Sequence, residues 1–414
     1  MDTGIAGQPG TLTPPARRAR HTGSHGTSSS RRWARGLFLV FLLTTLVAPA
    51  AGINKLPFAL IFAWMLSDAL SWPGRAPFPG VAPGAICAIF FYGFSLSLTT
   101  ESDHAIAFQF LTSVSILFMV NFVLRHGIDM DRASELASLV LIVGTVLFWA
   151  SIFMPELPYA ATIYHFFLDY NFSAASDRDF FDGGATFTLQ LGTAPFLFVG
   201  FCIVAMRLLS AGRRRFDLPW LLLLYVTILT SGLRALIAIA TLFLATLLVL
   251  RMQRLMRFIT LFAVAAAAAS VWLFVLRDSM VFSTEEVSNS VKIGHFTSFV
   301  DGLSFASAVF GRGLANFYYS TGSSALKAYT ELTPIDLMRY FGIPLTLVVY
   351  FLLAFPVRGA RYFAGPHLGP TLAFALYLLM SMTNPVMFNS YGMIVVVWYW
   401  STILRPSEPP ARAR

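Results

Sequence analysis

Residues 217–251 read DLPWLLLLYVTILTSGLRALIAIATLFLATLLVLR. A helix needs about 20 apolar residues to cross a bilayer. This stretch is too long for one crossing, so the polar step Ser231-Gly232-Leu233-Arg234 is read as a tight turn between two antiparallel spans. Read as a single span, it would bury Arg234 in mid-membrane and invert every downstream loop.

The same criterion, carried outward, predicts about twelve spans: 34–51, 56–72, 82–99, 105–124, 134–153, 187–209, 218–232, 235–251, 257–276, 337–356, 369–384 and 389–404. The expected fold is therefore all-α, a polytopic transmembrane helical bundle with two long extracytoplasmic loops, about 154–186 and 277–336, containing short helices. Composition agrees. Hydrophobic residues make up 57% and charged residues 12%, where a soluble domain carries roughly 25% charged. The net charge of +9 does not indicate nucleic-acid binding, because the arginines lie in short clusters between apolar runs. With the N-terminus inside, 21 of the 29 Lys and Arg fall in cytoplasmic segments, as the positive-inside rule requires. Trp33, Trp72, Trp149, Trp220, Trp398 and Trp400 lie near span ends, where an aromatic belt belongs.

Residues 1–33 are predicted to be a disordered basic cytoplasmic tail, 34–404 one membrane-embedded domain, and 405–414 a second cytoplasmic tail. Ala48-Pro49-Ala50 is a poor cleavage site, so the first apolar run is read as a retained helix rather than a signal peptide. Cys87 and Cys202 lie inside apolar runs, which argues against a disulfide framework or a zinc site. Asp217 is expected to cap its helix, with Pro219 in the first turn.

The second long loop is the richest in chemistry. Residues 288–310 read as one amphipathic helix, with Ile293, Phe296, Val300 and Leu303 at helical spacing. Lys292 and His295 share a face, and Asp301 lies opposite. Gly311-Arg312-Gly313 follows as a turn able to aim N–H groups at an anion. The bland alternative is an interfacial helix with solvated Lys and His. Asp336 reads as part of the capped start of the tenth span, and Glu331 has no such structural role. Arg234, at the outer ends of two spans, is a functional candidate by default, with snorkelling as the alternative. Arg178 lies in the polar stretch Ser176-Asp177-Arg178-Asp179 of the first long loop, where a local salt bridge would also account for it. No H-E-x-x-H, P-loop or G-x-S-x-G is present.

Residues 34–404 resemble the bacterial O-antigen polymerase and O-antigen ligase superfamily. The resemblance rests on Asp177-Arg178 through Gly183-Gly184-Ala185, on Thr230 to Leu236, on the helix from Lys292 with Phe310-Gly311-Arg312-Gly313, on Glu331 to Gly342, and on Thr383-Asn384-Pro385. Two residues separate Ser231 from Arg234 where the family commonly has none, and Lys292 stands where many members have Arg. The stretch from Glu331 to Asp336 lacks the ligase branch's His, which favours a polymerase. The resemblance implies a metal-independent membrane glycosyltransferase without a cofactor, acting at the outer face of the bacterial inner membrane. Its substrate would be an undecaprenyl-diphosphate-linked glycan, its surroundings the lipid bilayer, and its partners other polysaccharide-assembly membrane proteins. Arg178 and Arg234 would bind the diphosphate or its sugar, with Lys292 and Arg312 in support. His295 would be the general base, with Glu331 as the alternative. A ligase, or a non-enzymatic transporter of lipid-linked sugars, are the competing readings. Ionisable groups near the helix ends and the lack of a visible internal repeat speak against the transporter.

Overall fold

The computed structural model describes residues 28–71, 81–181, 184–210, 212–253, 256, 287–357 and 362–405. The protein is mostly helical. Its helices are α1 (Ser28–Val47), α2 (Lys55–Ser71), α3 (Ala82–Ser97), α4 (His104–Ser115), α5 (Met119–His126), α6 (Met130–Phe153), α7 (Ala160–Asn171), α8 (Leu197–Leu208), α9 (Asp217–Thr230) and α10 (Arg234–Arg251). After the second long loop begins come α11 (Val287–Asp301), α12 (Phe305–Phe310), α13 (Thr333–Phe341), α14 (Ile343–Ala354), α15 (Leu368–Ser381) and α16 (Ser390–Leu404). Two antiparallel hairpins accompany them, β1 (Ala174–Phe181) with β2 (Gly184–Gln190) and β3 (Tyr318–Ser320) with β4 (Ala325–Lys327).

Among the described residues, three segments are long and apolar enough to cross a membrane: His104–His126, Met130–Phe153 and Arg234–Arg251. The first of these joins α4 to α5 through a 3-10 turn at Ile116–Phe118. Shorter apolar helices fill much of the remainder. The predicted ninth span, 257–276, lies outside the described residues, as do the tails 1–27 and 406–414. The turn at Ser231–Leu233 does separate two helices, α9 and α10.

The helix ends sort into two sets. One set is knit by Arg35 to the Gly127 carbonyl, Arg125 to Asp68 (3.2 Å), Trp398 Nε1 to Asp131 (2.8 Å) and Arg405 to the Ile128 carbonyl (2.7 Å). Arg207 belongs here too: it donates to both Glu135 and Asp217 and ties α6, α8 and α9 together. The other set holds the C-terminus of α1, where Asn171 and Thr193 donate to the Leu46 carbonyl at 2.8 and 2.7 Å. It also holds the end of α15, where Thr333 donates to Asn384. Asn171 of the first long loop meets the C-terminal end of α1, and the Asp103 N–H at the start of α4 donates to the Ala315 carbonyl of the second, while the Arg35–Gly127 contact joins the opposite ends of α1 and the α4–α5 segment, so both long loops share one end of the bundle.

The interior lies along α8 and α16. Leu197–Ala205 is buried residue after residue, and so is Met393–Ser401. A helix buried all round belongs at the centre of a bundle. The periphery is the reverse. Leu56, Leu60, Phe62, Leu66 and Leu70 of α2, and Val143, Val146 and Leu147 of α6, are exposed. An apolar surface that continuous suits lipid rather than water.

Five expectations are corrected. The fold is not purely α, because the two hairpins carry strands. The sixth span, expected from 187, begins as strand β2, and α8 starts only at Leu197. Gly184–Gln190 alternates Ala, Phe and Leu with Thr on one side, a period-two pattern that averaging for apolar runs erases. The helix expected over 288–310 breaks at Gly302–Ser304, where Ser304 and Ser307 form a capping box that starts α12. Asp217 lies inside α9 rather than capping it, because its carboxylate is claimed by Arg207 and the Arg214 N–H. Trp398 and Trp400 are buried in the core and donate to Asp131 and the Leu353 carbonyl, so they form no interfacial belt. In addition, α1 starts at Ser28, within the segment expected to be disordered.

Candidate functional site

The predicted helix face of Lys292 and His295 turns inward, and Ile293, Phe296, Val300 and Leu303 turn outward. That orientation follows from how α11 meets the β3–β4 turn. A Cβ on Gly294 would collide with the Gly322 backbone, and one on Gly322 with the Val291 carbonyl, so only glycines permit the approach. Ser298 and Thr321 then join across the contact at 3.0 Å, and Thr321 also donates to the Gly294 carbonyl. This docking brings His295 against the hairpin. Its Nδ1 lies 2.5 Å from Ser320 Oγ and 3.2 Å from the Tyr318 hydroxyl. His295 is 4% exposed. Burial holds its pKa below the usual imidazole range, Glu331 opposes that shift, and Lys327 and Arg339 add to it. The ring is therefore neutral at neutral pH.

Beside the imidazole lies Arg339, also buried. It donates to Asp336 Oδ1 at 2.9 Å and to the Asn316 carbonyl, and its guanidinium lies 3.7 Å over the Tyr318 ring. Asp336 accepts in turn from the Thr330 N–H at 2.6 Å and from the Thr330 hydroxyl. Its carboxylate thus braces the turn before α13 from inside that helix, whose N-cap, Leu332, has no side-chain cap bond, so the expected capping role is not what Asp336 plays. Burial raises the Asp336 carboxyl to about 6 against the pull of Arg339 and Thr330. Burial likewise pushes the Tyr318 phenol up to about 12.

Arg312 is held by its backbone. Its N–H donates to the Arg339 carbonyl at 2.7 Å, and its own carbonyl accepts from Thr100 at 3.1 Å. Gly311 precedes it at φ +76, packed on Tyr340 where no Cβ fits. The guanidinium donates to the Gly302 carbonyl at 2.6 Å and is otherwise exposed. Arg312, Arg339, Tyr318, Tyr319, Ser298 and Gly302 line one cleft of about 200 Å³. His295 does not line it and sits behind Tyr318. Lys292 and Glu331, which do not line the cleft, pair at 3.4 Å in a partly exposed contact worth about 0–1 kcal/mol.

Lys292, His295 and Glu331 are thus brought together, while Arg312 lies in the cleft at Gly302. Arg178 and Arg234 are brought to a different corner. There Gly232, at φ +61, meets Thr188 of β2, where an added Cβ would lie 2.5 Å from the Thr188 methyl. Arg178 pairs with Thr186 in the same hairpin, two register positions beyond the Ser176–Thr188 pair. Tyr318, Ser320 and Arg339 were missed in the sequence reading. Arg339 carried one signal: a charge three residues after Asp336 at the head of an apolar run. Nothing in the sequence marks Tyr318 or Ser320. Among the described residues no three His, Cys, Asp or Glu side chains gather as metal ligands would.

Fold and cleft together define a predominantly helical protein with segments long and apolar enough to cross a membrane and a cationic, partly enclosed site at one end of its bundle. No family model matches the chain, and no characterised protein matches it either.

Proposed function

We propose that the protein is an integral membrane glycosyltransferase that polymerises lipid-diphosphate-linked oligosaccharide units at the outer face of the bacterial inner membrane. The carrying observation is that two guanidinium groups, Arg312 and Arg339, line one cleft with a neutral, buried imidazole directly behind it. Arg clusters at a positioned site suit diphosphate recognition, because the planar fork matches phosphate oxygens. Arg339 is committed to Asp336 and Asn316, so it supplies fixed positive potential. The exposed Arg312 guanidinium, which donates to the Gly302 carbonyl, is assigned to the diphosphate as it leaves. Arg178 and Arg234, at the hairpin corner of the same end of the bundle, are assigned to the glycan. The set of helix ends around Arg207 and Arg125 would face the cytoplasm. It is Arg-rich, which supports this orientation.

Deletion of the gene, followed by gel analysis of surface polysaccharide, tests the reading. Loss of the long-chain ladder, leaving single repeat units, is the expected result. Accumulated lipid-linked polymer would reassign the protein as a ligase, and an unchanged ladder would refute both.

A further inference from the structure

We propose that the acceptor hydroxyl is met in the cleft by the Tyr318 phenol, which takes its proton and passes its own to His295. The inference rests on the function proposed above and names a further residue for it.

His295 is 4% exposed and does not line the cleft, so the imidazole cannot itself meet a sugar hydroxyl there. A hydroxyl must bridge the gap. Four residues that carry hydroxyls line the cleft: Ser298, Ser307, Tyr318 and Tyr319. Ser298 is joined to Thr321, and Ser307 is held in the cap of α12. Tyr319 follows Tyr318 in a strand, so its side chain leaves the opposite face of the hairpin. Tyr318 alone among the four lies within hydrogen-bond distance of His295 Nδ1, at 3.2 Å. Ser320 is closer to that nitrogen, at 2.5 Å, but it is fully buried and does not line the cleft. Its contact fixes the ring's orientation.

The geometry also lowers the barrier to the relay. The Arg339 guanidinium lies 3.7 Å over the Tyr318 ring, and a cation on that face favours the electron-rich ring that forms as the hydroxyl gives up its proton. Burial keeps the resting phenol neutral, so the two transfers occur together rather than through a standing tyrosinate. The step balances as follows. The acceptor oxygen forms a bond to the anomeric carbon. The bond from that carbon to the diphosphate oxygen breaks, and its electron pair leaves on the diphosphate. The acceptor proton goes to the Tyr318 oxygen, and the Tyr318 proton goes to Nδ1. The imidazolium's new positive charge matches the diphosphate's new negative charge. The charged groups around His295 are Glu331, Lys327 and Arg339, with Lys292 one turn away on its own helix.

Right-side-out membrane vesicles from the host strain, carrying that strain's own lipid-linked repeat units, provide the assay, read as the initial rate of polymer formation. Wild-type vesicles should form polymer and deletion vesicles should not; wild type no better than the deletion sinks the functional reading, and the relay with it. Given active wild type, Tyr318→Phe keeps the ring under Arg339 and should lose about 10²-fold or more, as should His295→Gln. The double variant should be no slower than either single, because the two residues act as one unit. The residual rate of Tyr318→Phe should also be flat from about pH 5 to 8, where an imidazole titrates. A Tyr318→Phe rate equal to wild type, or a double loss equal to the product of the singles, overturns the relay and leaves the function standing. Should Tyr318→Phe fail to accumulate, difluorotyrosine placed at 318 is the second test: a rate indifferent to phenol acidity overturns the relay, and a changed rate supports it.

Discussion

Removing the Arg339 guanidinium isolates what holds the cleft together. Arg339→Met keeps the length and apolar stem of the side chain and deletes three interactions: the ion pair to Asp336, the hydrogen bond to the Asn316 carbonyl and the contact over Tyr318. Breaking one half of a buried pair costs about 3–5 kcal/mol, since a carboxylate is left without its partner. The orphaned Asn316 carbonyl adds about 1–3 kcal/mol. The lost cation–π contact adds about 1–2 kcal/mol when desolvated. The total, about 5–10 kcal/mol, approaches the whole stability of an ordinary domain, roughly 5–15 kcal/mol. The expected outcome is an outer lobe that no longer holds, seen as protease cleavage between α12 and α13 in cells whose outer membrane has been permeabilised. Adding Asp336→Asn should recover about 3 kcal/mol, because the amide oxygen still accepts the Thr330 N–H and no buried charge remains. The sign with pH is also set. Burial already raises the Asp336 carboxyl to about 6, above its value in the unfolded chain, and losing Arg339 removes an opposing pull. The folded variant therefore binds the proton more tightly than the unfolded one, and its deficit shrinks as the pH falls from about 8 to 5. Wild-type protease resistance in Arg339→Met at pH 8 would refute this account of the lobe.

Further outcomes follow from the same structure. Gly232→Ala should lower the thermal midpoint in detergent by about 1–3 kcal/mol of stability, from a strained positive φ and a clash with Thr188, and Thr188→Ala should relieve part of it; a neutral Gly232→Ala would show that β2 does not pack there. Arg207→Leu leaves Glu135 and Asp217 without their shared cation and should destabilise by about 3–5 kcal/mol, while Arg207→Lys, lacking the planar fork, should not restore stability; full rescue by Lys in thermal unfolding argues against the fork geometry. Polymer formation by wild-type vesicles should fall only below about pH 6.5, since the base must be neutral and burial lowers its pKa; an acid limb centred above 6.5 contradicts the role given to His295. In a background with Cys87→Ala and Cys202→Ala, Lys327→Cys should react with an impermeant maleimide from outside and Arg213→Cys only after inner-membrane permeabilisation; the opposite pattern inverts the orientation.

Much of the bundle was legible because lipid imposes a one-dimensional rule: a crossing helix must be apolar for most of its length. The break at Ser231–Leu233 and the pair α9 and α10 follow from that rule. The rule failed where apolar content is not helical. β2 and the start of α8 form one continuous apolar run, and only the alternation in Gly184–Gln190 betrays a strand. Lys292, His295, Arg312 and Glu331 could be picked out because charges are rare in such a chain. Tyr318 and Ser320 could not, since tyrosine and serine are ordinary in loops.

By itself, the sequence determined which segments are apolar, how the basic residues alternate between loops, and that the chemistry-bearing residues concentrate in the second long loop. Those are sums over neighbours in the chain, and hydropathy and charge record them directly. Only the tertiary structure decided that His295 sits behind Tyr318, that Arg339 belongs to the cleft, and that Arg178 and Arg234 gather at another corner. These depend on close approaches such as Gly294 on Gly322 and Gly232 on Thr188. The partners in those contacts are fixed by three-dimensional packing between segments far apart in sequence, which no local pattern encodes.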